Sequence, residues 1–259
     1  MTLIIGANLN HYTILAADTR TSWTHPFLGE CHRDHHHKIA VCKMGLIAGS
    51  GYVNALESVK EELLKKEIFH TDEVLNIINE SAIPKIKLLN RNNPSSIKHK
   101  TCFIISYFTK LDNKDILRLA FLHPEWDYQL NIVKESIIVT PGDTNEKYYE
   151  KYNKILHDGL CKCKVSNYSD KEYMVSVLKN ICKNAIFIAK CFYEISKVSN
   201  LISSDFDFAA LLLNEKVVYG YGNTKDVKSG KLHFRFFNRY NQTRILTPDI
   251  LKEGDISNI

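Results

Sequence analysis

The sequence predicts an α+β protein in which antiparallel sheets are covered by pairs of helices. Segments with alternating or continuous apolar residues, which are typical of strands, fall into three groups along the chain. Two regions with apolar residues at helical spacing separate these groups. The predicted order is strands, two helices, strands, two helices and strands. Because each element must bury an apolar face, this order predicts packed layers, but it allows several α+β folds.

The first group of strands precedes two helices. The strands are predicted at 2–8, 12–18, 38–43 and 46–48. Residues 51–66 then show helical spacing, and Asp72 is a suitable N-cap for a second helix. Pro84 is predicted to kink or interrupt that helix, since proline lacks the N–H that a helix interior needs. The Asn- and Pro-rich stretch 90–96 is predicted to be a loop.

The second group of strands leads into two further helices. Strands are predicted at 101–109, 116–122, 127–132 and 136–140. A helix is predicted to begin near Thr144, and a longer helical region covers 169–199, which contains neither Pro nor Gly. Two strands, 206–213 and 216–221, are predicted to close the domain.

Length and composition indicate one large globular unit. A chain of 259 residues can bury a single core, and its 44% hydrophobic and 24% charged residues are ordinary globular values. We expect one domain over 2–221 and a C-terminal extension over 222–259 with an extra strand at 232–237. The seven cysteines show no regular spacing, so reduced thiols are expected.

The charge pattern argues against two classes of partner. The net charge of +5 comes from 34 basic and 29 acidic residues that are spread along the chain. Nucleic-acid binding needs clustered basic residues, so no nucleic-acid partner is expected. No stretch approaches the roughly 20 apolar residues of a membrane helix, and the amino terminus lacks a secretion signal. We therefore expect a cytoplasmic protein without membrane contact.

Thr2 is the most informative residue for function. Removal of Met1 leaves a threonine that carries a nucleophilic hydroxyl and a basic amine, which together form a complete catalytic unit. A threonine after the initiator methionine is common, so position alone favours no special role. The downstream residues change this: Thr2-Leu-Ile-Ile-Gly-Ala-Asn, His11-Tyr-Thr-Ile-Leu-Ala-Ala-Asp-Thr-Arg, Lys38 opening a strand, and Ile47-Ala-Gly-Ser-Gly51 opening a helix.

Together these motifs resemble the proteasome β-subunit family, as a divergent bacterial or archaeal relative, closely over residues 2–60 and only in architecture beyond. The resemblance implies the N-terminal-nucleophile (Ntn) hydrolase fold, a four-layer αββα sandwich of two stacked antiparallel sheets covered by helix pairs. It implies a threonine-type peptidase or amidohydrolase that acts on a peptide or protein substrate without a cofactor. It also implies a homo-oligomer, whose symmetry the sequence leaves open.

The resemblance assigns roles to four residues near the amino terminus. Thr2 is the nucleophile, and its amine, with an ordinary pKa of about 7.7 to 8.0, is the base. The Lys38 ammonium, oriented by Asp18, lowers the pKa of that amine by like-charge repulsion. The backbone N–H of Gly49 stabilises the oxyanion.

Other family positions are replaced or less specific here. In the turn Thr140-Pro141-Gly142-Asp143, Pro141 stands where the family has a serine. After the long helix, Asn200 and Ser203 take the places of a catalytic aspartate and serine, and asparagine carries no charge. The amine is then tuned differently, or the protein has lost activity. By analogy, an apolar substrate pocket is lined by Thr21 or Ser22 and by Ile47.

The histidine-rich stretch from Cys31 to His37 leaves alternatives open. Thiolate and imidazole suit zinc, but the only candidate partner pair is Cys161-Lys-Cys163, so a solvated loop is favoured and no metal ligand is assigned. If the stretch lies next to the active site, its histidines could recognise an acidic substrate or make binding sensitive to pH. The aromatic run Phe234 to Tyr240 favours an edge strand or subunit contact over nucleic-acid stacking.

Three functions follow from the sequence. The leading one is an N-terminal threonine amidohydrolase or peptidase with a Thr2 acyl-enzyme, from which the acyl group can pass to water or, in ligation or transpeptidation, to an amine. The first alternative is a catalytically silent protein of the same fold that acts in assembly or binding. The second is a metal- or nucleic-acid-binding module that uses the histidine-rich stretch.

Overall fold

A computed structural model shows a mixed α/β protein with antiparallel sheets. The structure describes residues 2–34, 36–66, 70–92, 101–139, 146–160, 170–203, 205–213, 217–223, 233–237 and 243–246.

The strands alternate with helical regions in the order that the sequence predicts. The described strands are β1 (Ile4–Asn8), β2 (Tyr12–Asp18), β3 (Thr21–His25), β4 (Gly29–Arg33), β5 (Ile39–Cys42), β6 (Gly45–Ser50), β7 (Cys102–Leu111), β8 (Lys114–Leu122), β9 (Asn131–Val133), β10 (Ser136–Val139), β11 (Asp205–Leu212), β12 (Val217–Asn223), β13 (His233–Phe237) and β14 (Thr243–Leu246). The described α-helices are α1 (Val53–Lys65), α2 (Thr71–Ile77), α3 (Ile83–Asn92), α4 (Glu146–Gly159) and α5 (Asp170–Ser196).

Most described strands belong to two antiparallel sheets. One has the order β10-β1-β2-β11-β12-β13-β14, and the other has the order β5-β6-β7-β8-β9. The predicted hairpin of residues 2–8 and 12–18 is confirmed as β1 and β2, with Ile4 opposite Ala17. Every residue of β2 is buried, which explains its almost continuous apolar sequence.

Three clusters of buried apolar residues hold the elements together. The first joins β1, β2 and β11 to α4 and α5, through side chains such as Phe192 and Phe206, whose rings stack 4.9 Å apart. The second joins β6, β7 and β8 to α1, α2 and α3. The third draws on both sheets, for example Leu15 from one and Leu46 from the other. Each sheet therefore has apolar contacts on both faces.

The histidine-rich stretch is more ordered than the sequence suggests. Residues 21–33 form the hairpin of β3 and β4 as a separate two-stranded sheet, so Cys31 to Arg33 of the predicted loop belong to a strand. The sequence does not display this strand because it is polar and largely exposed, so it lacks the apolar alternation that marks a half-buried strand.

Pro84 does not interrupt its helix. The helix continues to Asn92, and residues Ile78–Ala82 just before the proline form a π-helical segment in which the N–H of Ile83 donates to the carbonyl of Ile78. A wider turn of this kind accommodates the missing N–H of Pro84 without ending the helix. Residues 90–92 of the predicted loop are consequently helical, and residues 93–96 lie outside the described residues.

One strand begins later than the sequence predicts. The strand expected at 127–132 begins only at Asn131. The His123 side chain accepts a hydrogen bond from the Glu125 N–H and caps the short 3-10 helix Pro124–Trp126, after which Asp127 and Tyr128 adopt positive φ angles of 48° and 55°. Such left-handed backbone excludes these two residues from a strand.

The predicted C-terminal strand is present as β13. It pairs with β12 on one side and β14 on the other, so it is an inner strand and not the predicted edge strand. The division into a domain over 2–221 and an extension over 222–259 stays a prediction. Among the described residues, no helix is long and apolar enough to cross a membrane.

Candidate active site

Asp18 forms the centre of a buried polar cluster at the start of β1. Its carboxylate is fully buried and accepts hydrogen bonds from the Leu3 N–H (2.8 Å), the Lys38 Nζ (3.1 Å) and the Arg20 N–H (3.0 Å). The pairing of β1 with β2 brings the end of one strand to the beginning of the other. Asp18 therefore fixes the backbone directly after Thr2 and the position of the lysine head group.

The Lys38 side chain is enclosed by the same cluster. Its Nζ also donates to the carbonyl oxygen of Arg20 at 2.5 Å, and only 6% of the side chain is exposed. Burial lowers the pKa of Lys38 and raises the pKa of Asp18 from their ordinary values, while the attraction between the two groups opposes both shifts.

Thr2 lies against this cluster and borders a small cavity. Its carbonyl oxygen accepts a hydrogen bond from the Ser50 Oγ at 3.3 Å, and 4% of the residue is exposed. The cavity has a volume of about 30 Å³, which by volume is room for a water molecule but not for a large side chain. Its walls are formed by Thr2, Arg20, Thr21, Ser22, His36, Lys38, Gly49, Gly51, Val53, Leu56, Glu57 and Lys60.

Most of the candidate residues from the first 60 positions meet at this cavity. Thr2, Lys38 and Gly49 line it, and so do the substrate candidates Thr21 and Ser22. Ile47 lies instead in an adjoining apolar pocket of about 10 Å³, which shares Lys38 and Gly49 with the cavity. The sequence motifs therefore correspond to one place in the fold.

The two candidates after the long helix are placed differently. Asn200 is exposed, and its backbone carbonyl accepts a hydrogen bond from the Arg20 Nη1 at 2.6 Å. Ser203 is fully buried, and its Oγ contacts the N–H and hydroxyl of Thr19 at 3.0 and 3.1 Å and donates to the carbonyl of Asp205 at 2.5 Å. Neither residue is among those that line the cavity.

Several residues that the sequence singles out lie outside the described ranges. These residues are Pro141 with its turn from Thr140 to Asp143, the neighbouring Thr144, the pair Cys161 and Cys163, and His35.

Asp34 and residues 36–38, here called the histidine segment, are held by contacts at several points. Asp34 accepts two hydrogen bonds from the Arg20 guanidinium at 2.8 and 3.0 Å. The His37 Nδ1 lies 2.9 Å from the Asp207 carboxylate, which also accepts the Lys38 N–H at 3.2 Å. Since Asp207 is fully buried in β11, the segment is tied to the same sheet that carries Thr2.

His36 faces helix α1 through a hydrogen-bonded contact with Glu57. Its Nε2 lies 2.9 Å from the Glu57 Oε1, and the Lys60 Nζ contacts the same oxygen at 2.9 Å. Burial alone would raise the pKa of Glu57, but hydrogen bonds from Lys60 and His36 outweigh it and hold that pKa below its ordinary value. Glu57 is therefore an ionised carboxylate that orients the imidazole.

Three further residues at this site, Ser50, Glu57 and Lys60, are not among those predicted from the sequence. The signal for Ser50 was its place between Gly49 and Gly51 in a strand-to-helix turn. Glu57 and Lys60 carried a weaker signal, because an acidic and a basic residue three positions apart on a helix form an ordinary surface pair. Among the described residues, no group of three His, Cys, Asp or Glu side chains is arranged as a metal site.

Thr21 presents a buried hydroxyl at the cavity wall. Within the described part of the chain, its Oγ1 is the buried side-chain oxygen that has no hydrogen-bond partner. An unpaired buried hydroxyl costs about 1 to 3 kcal/mol, so Thr21→Val is expected to leave the free energy of unfolding unchanged or raise it by about 1 kcal/mol in urea denaturation.

Thr13→Val is the matched control for this prediction. The Thr13 hydroxyl is also buried but is hydrogen-bonded to the Ser106 hydroxyl, so its loss should lower the free energy of unfolding by about 1 to 3 kcal/mol. Equal losses in both variants would show that the Thr21 hydroxyl has a partner.

Comparison with known proteins gives a fold but no family. No family model matches the chain, and no curated protein matches it. An Anbu (Gly-1) mutant from Hyphomicrobium sp. strain MC1 is similar to it with a TM-score of 0.52 and 12% identity, over 100% of this chain and 92% of that one. Anbu from the same strain gives a TM-score of 0.51 and 12% identity, over 99% and 92%. The fold is proteasome-like.

This finding corrects the family resemblance drawn from the sequence. Anbu is proteasome-like but distinct, so the assignment to the proteasome β-subunit family is wrong. The motifs behind that assignment are the paired strands β1 and β2, the buried Asp18 and the glycine turn after β6. These motifs form parts of the fold, and at 12% identity they do not mark one family within it.

Proposed function

We propose that this protein is an N-terminal threonine amidohydrolase or peptidase that acts through an acyl ester on Thr2. The observation that carries the proposal is that Thr2 borders one cavity together with Lys38, whose ammonium is paired with the buried Asp18. A hydroxyl and an amine on the same residue supply both a nucleophile and a base, provided that Met1 has been removed.

The steps follow from the positions of these groups. The Thr2 hydroxyl attacks the carbonyl carbon of the substrate, and its proton passes to the α-amine, directly or through a water. The nearby Lys38 ammonium disfavours a second positive charge, so it lowers the pKa of the α-amine and keeps part of it neutral. Asp18, held by the Leu3 N–H, keeps the lysine in place.

The oxyanion is stabilised by the backbone at the end of β6. The Gly49 N–H is the donor in this mechanism, because Gly49 borders the cavity beside Thr2 and needs no reorganisation during attack. An added Cβ at this glycine would lie 2.5 Å from the Leu56 Cδ2, so a larger residue here would have to displace the Leu56 side chain.

The packing supports a four-layer αββα sandwich for this enzyme. One apolar cluster joins α4 and α5 to the larger sheet, one joins α1 to α3 to the smaller sheet, and one lies between residues of both sheets. That order of contacts is expected when two stacked sheets are each covered by helices. In this arrangement Thr2 lies at an end of the larger sheet.

The substrate is a peptide or protein amide whose side chain enters beside Thr21 and Ser22 and reaches toward Ile47. The unpaired Thr21 hydroxyl gives this entrance one polar contact for a substrate group. Since the cavity holds only about 30 Å³, the substrate lies mostly outside it or displaces its walls.

A silent protein of the same fold is the second candidate. It is favoured by the position of Asn200, which replaces a charged residue of the motif and lies away from the cavity wall. In that case Thr2 and Lys38 would serve only to anchor the start of β1.

Dependence on removal of Met1 tests the proposal. The protein is prepared in a strain without methionine aminopeptidase activity and then treated with the purified aminopeptidase, while intact mass measures the fraction of chains that begin at Thr2. Hydrolysis of a peptide library is expected to rise in proportion to that fraction. Undiminished hydrolysis by chains that retain Met1 would exclude the α-amine as the base.

A further inference from the structure

We propose that His36, held by Glu57, is a second acid–base group of this site and donates a proton to the amine that leaves when Thr2 is acylated. The inference rests on the proposed function, since it concerns the same reaction. It adds a residue of the histidine segment that the amino-terminal motifs do not include.

The first argument is placement. The His36 backbone N–H donates to the Thr19 carbonyl at 3.0 Å, which ties the residue to the end of β2, and the imidazole borders the same cavity as Thr2. The cavity volume of about 30 Å³ is enough for a single water. The imidazole and Thr2 therefore border the same space, which a single water can occupy.

The second argument is the direction of the imidazole. An ionised Glu57 carboxylate can only accept a hydrogen bond, so the His36 Nε2 carries the hydrogen that is shared with it over 2.9 Å. The exchangeable proton is then the one on Nδ1. A carboxylate in this role orients an imidazole for proton transfer and stabilises the imidazolium form, as in catalytic His and Asp or Glu pairs.

The charged groups that border the cavity with the His36 imidazole include both acidic and basic side chains. They are Glu57 and Lys60 from α1, Arg20 after β2 and Lys38 before β5. Arg20 is paired with Asp34 and Lys38 with Asp18, while Lys60 shares Glu57 with His36 and also donates to the His37 carbonyl at 2.6 Å. The imidazole therefore lies among both acidic and basic side chains, and histidine is a side chain that can give and take a proton in catalysis.

The proton transfers balance over the reaction. During acylation the Thr2 hydroxyl proton passes to the α-amine, the carbonyl carbon bonds to the Thr2 Oγ, the C–N bond breaks, and the leaving nitrogen takes a proton from the His36 imidazolium. During hydrolysis a water attacks the ester carbon and gives its proton to the neutral imidazole. The ester C–O bond then breaks, and the Thr2 Oγ recovers its proton from the α-ammonium.

The test compares two leaving groups in the first turnover. A peptide that the full-length protein is found to cleave is first identified. The acyl part of that peptide is then prepared with two leaving groups, as the methylamide and as the p-nitrophenyl ester. An amine must be protonated to leave, whereas p-nitrophenolate leaves without a proton. His36→Gln is expected to slow the first turnover of the amide roughly 100-fold and to leave the burst of p-nitrophenolate within about threefold.

His37→Gln is the matched control. It lies in the same histidine segment and also faces a carboxylate, Asp207, but does not border the cavity. It is expected to change the rates for ester and amide by the same factor. Glu57→Gln should also slow the amide more than the ester, but by a smaller factor than His36→Gln, and it should shift the pH dependence of amide cleavage. Thermal unfolding checks that each variant is folded.

The outcomes separate this inference from the proposed function. An equal effect of His36→Gln on ester and amide would overturn the role of His36 and leave the Thr2 enzyme standing. If neither substrate form is cleaved by the wild-type protein with Met1 removed, or if Thr2→Ala cleaves both, the proposed function fails and the inference falls with it.

Discussion

Thr2→Ala is expected to lower kcat/KM for amide hydrolysis by about 1,000-fold or more. The variant keeps the α-amine but has no hydroxyl to form the acyl ester, and removal of a catalytic nucleophile typically costs at least this much. The alanine fits the same backbone position, whose contacts are the Leu3 N–H to Asp18 and the Thr2 carbonyl to Ser50. Steady-state kinetics on a cleaved peptide, with thermal unfolding of both proteins, measures the effect.

Thr2→Ser supplies the control, because serine keeps both the hydroxyl and the α-amine. It should retain measurable turnover and form the same ester. Turnover by Thr2→Ala at the wild-type rate would place the nucleophile elsewhere, and loss of stability in that variant would indicate an anchoring role for the residue.

Lys38→Met is expected to lower the free energy of unfolding by about 3 to 5 kcal/mol at neutral pH. The substitution removes one partner of a buried ion pair and leaves the Asp18 carboxylate fully buried without its cation. Amide hydrolysis should fall by up to about 10-fold at neutral pH as well, because the α-amine returns to its ordinary pKa of about 7.7 to 8.0 and is then mostly protonated. Urea denaturation and kinetics on the same preparation give both values.

The loss of folding stability in Lys38→Met is expected to depend on pH in one direction. Burial already raises the pKa of Asp18, and removal of the Lys38 charge raises it further. A carboxyl with a higher pKa in the folded state binds more protons when folded, so stability falls as pH rises above its unfolded pKa of about 3.9. The deficit of Lys38→Met should therefore grow as pH rises above about 4.

Two further variants complete this test. Asp18→Asn combined with Lys38→Met should recover much of the stability, since no buried charge remains. Lys60→Met removes a lysine from a pair with Glu57, whose side chain is 37% exposed, and should cost at most about 1 kcal/mol. Equal costs for Lys38→Met and Lys60→Met would contradict the buried pair.

The sequence predicted the strands that carry the site because their apolar patterns are strong. The hairpin of β1 and β2 and the pairing of β5 with β6 could be predicted from apolar runs, and their ends place Asp18, Lys38 and Gly49 near one another. The order of strands and helices was predictable for the same reason. The family could not be predicted correctly, because the amino-terminal motifs belong to a fold that this chain shares with Anbu.

Other features depend on contacts that a sequence does not display. The hairpin of β3 and β4 is polar and exposed, so it has no apolar periodicity to detect. The π-helical segment before Pro84 reflects a local rearrangement of hydrogen bonds around a residue that usually breaks helices. His36 and Glu57 lie 21 positions apart, and only the fold brings them together at the cavity.

The most direct test of the central claim is tandem mass spectrometry of the protein after reaction with a threonine-reactive electrophile. The account predicts one adduct, on Thr2 of chains that lack Met1, and none in Thr2→Ala. An adduct on another residue, or labelling of Thr2 in chains that still carry Met1 at the same rate, would contradict catalysis by the Thr2 hydroxyl and amine acting together.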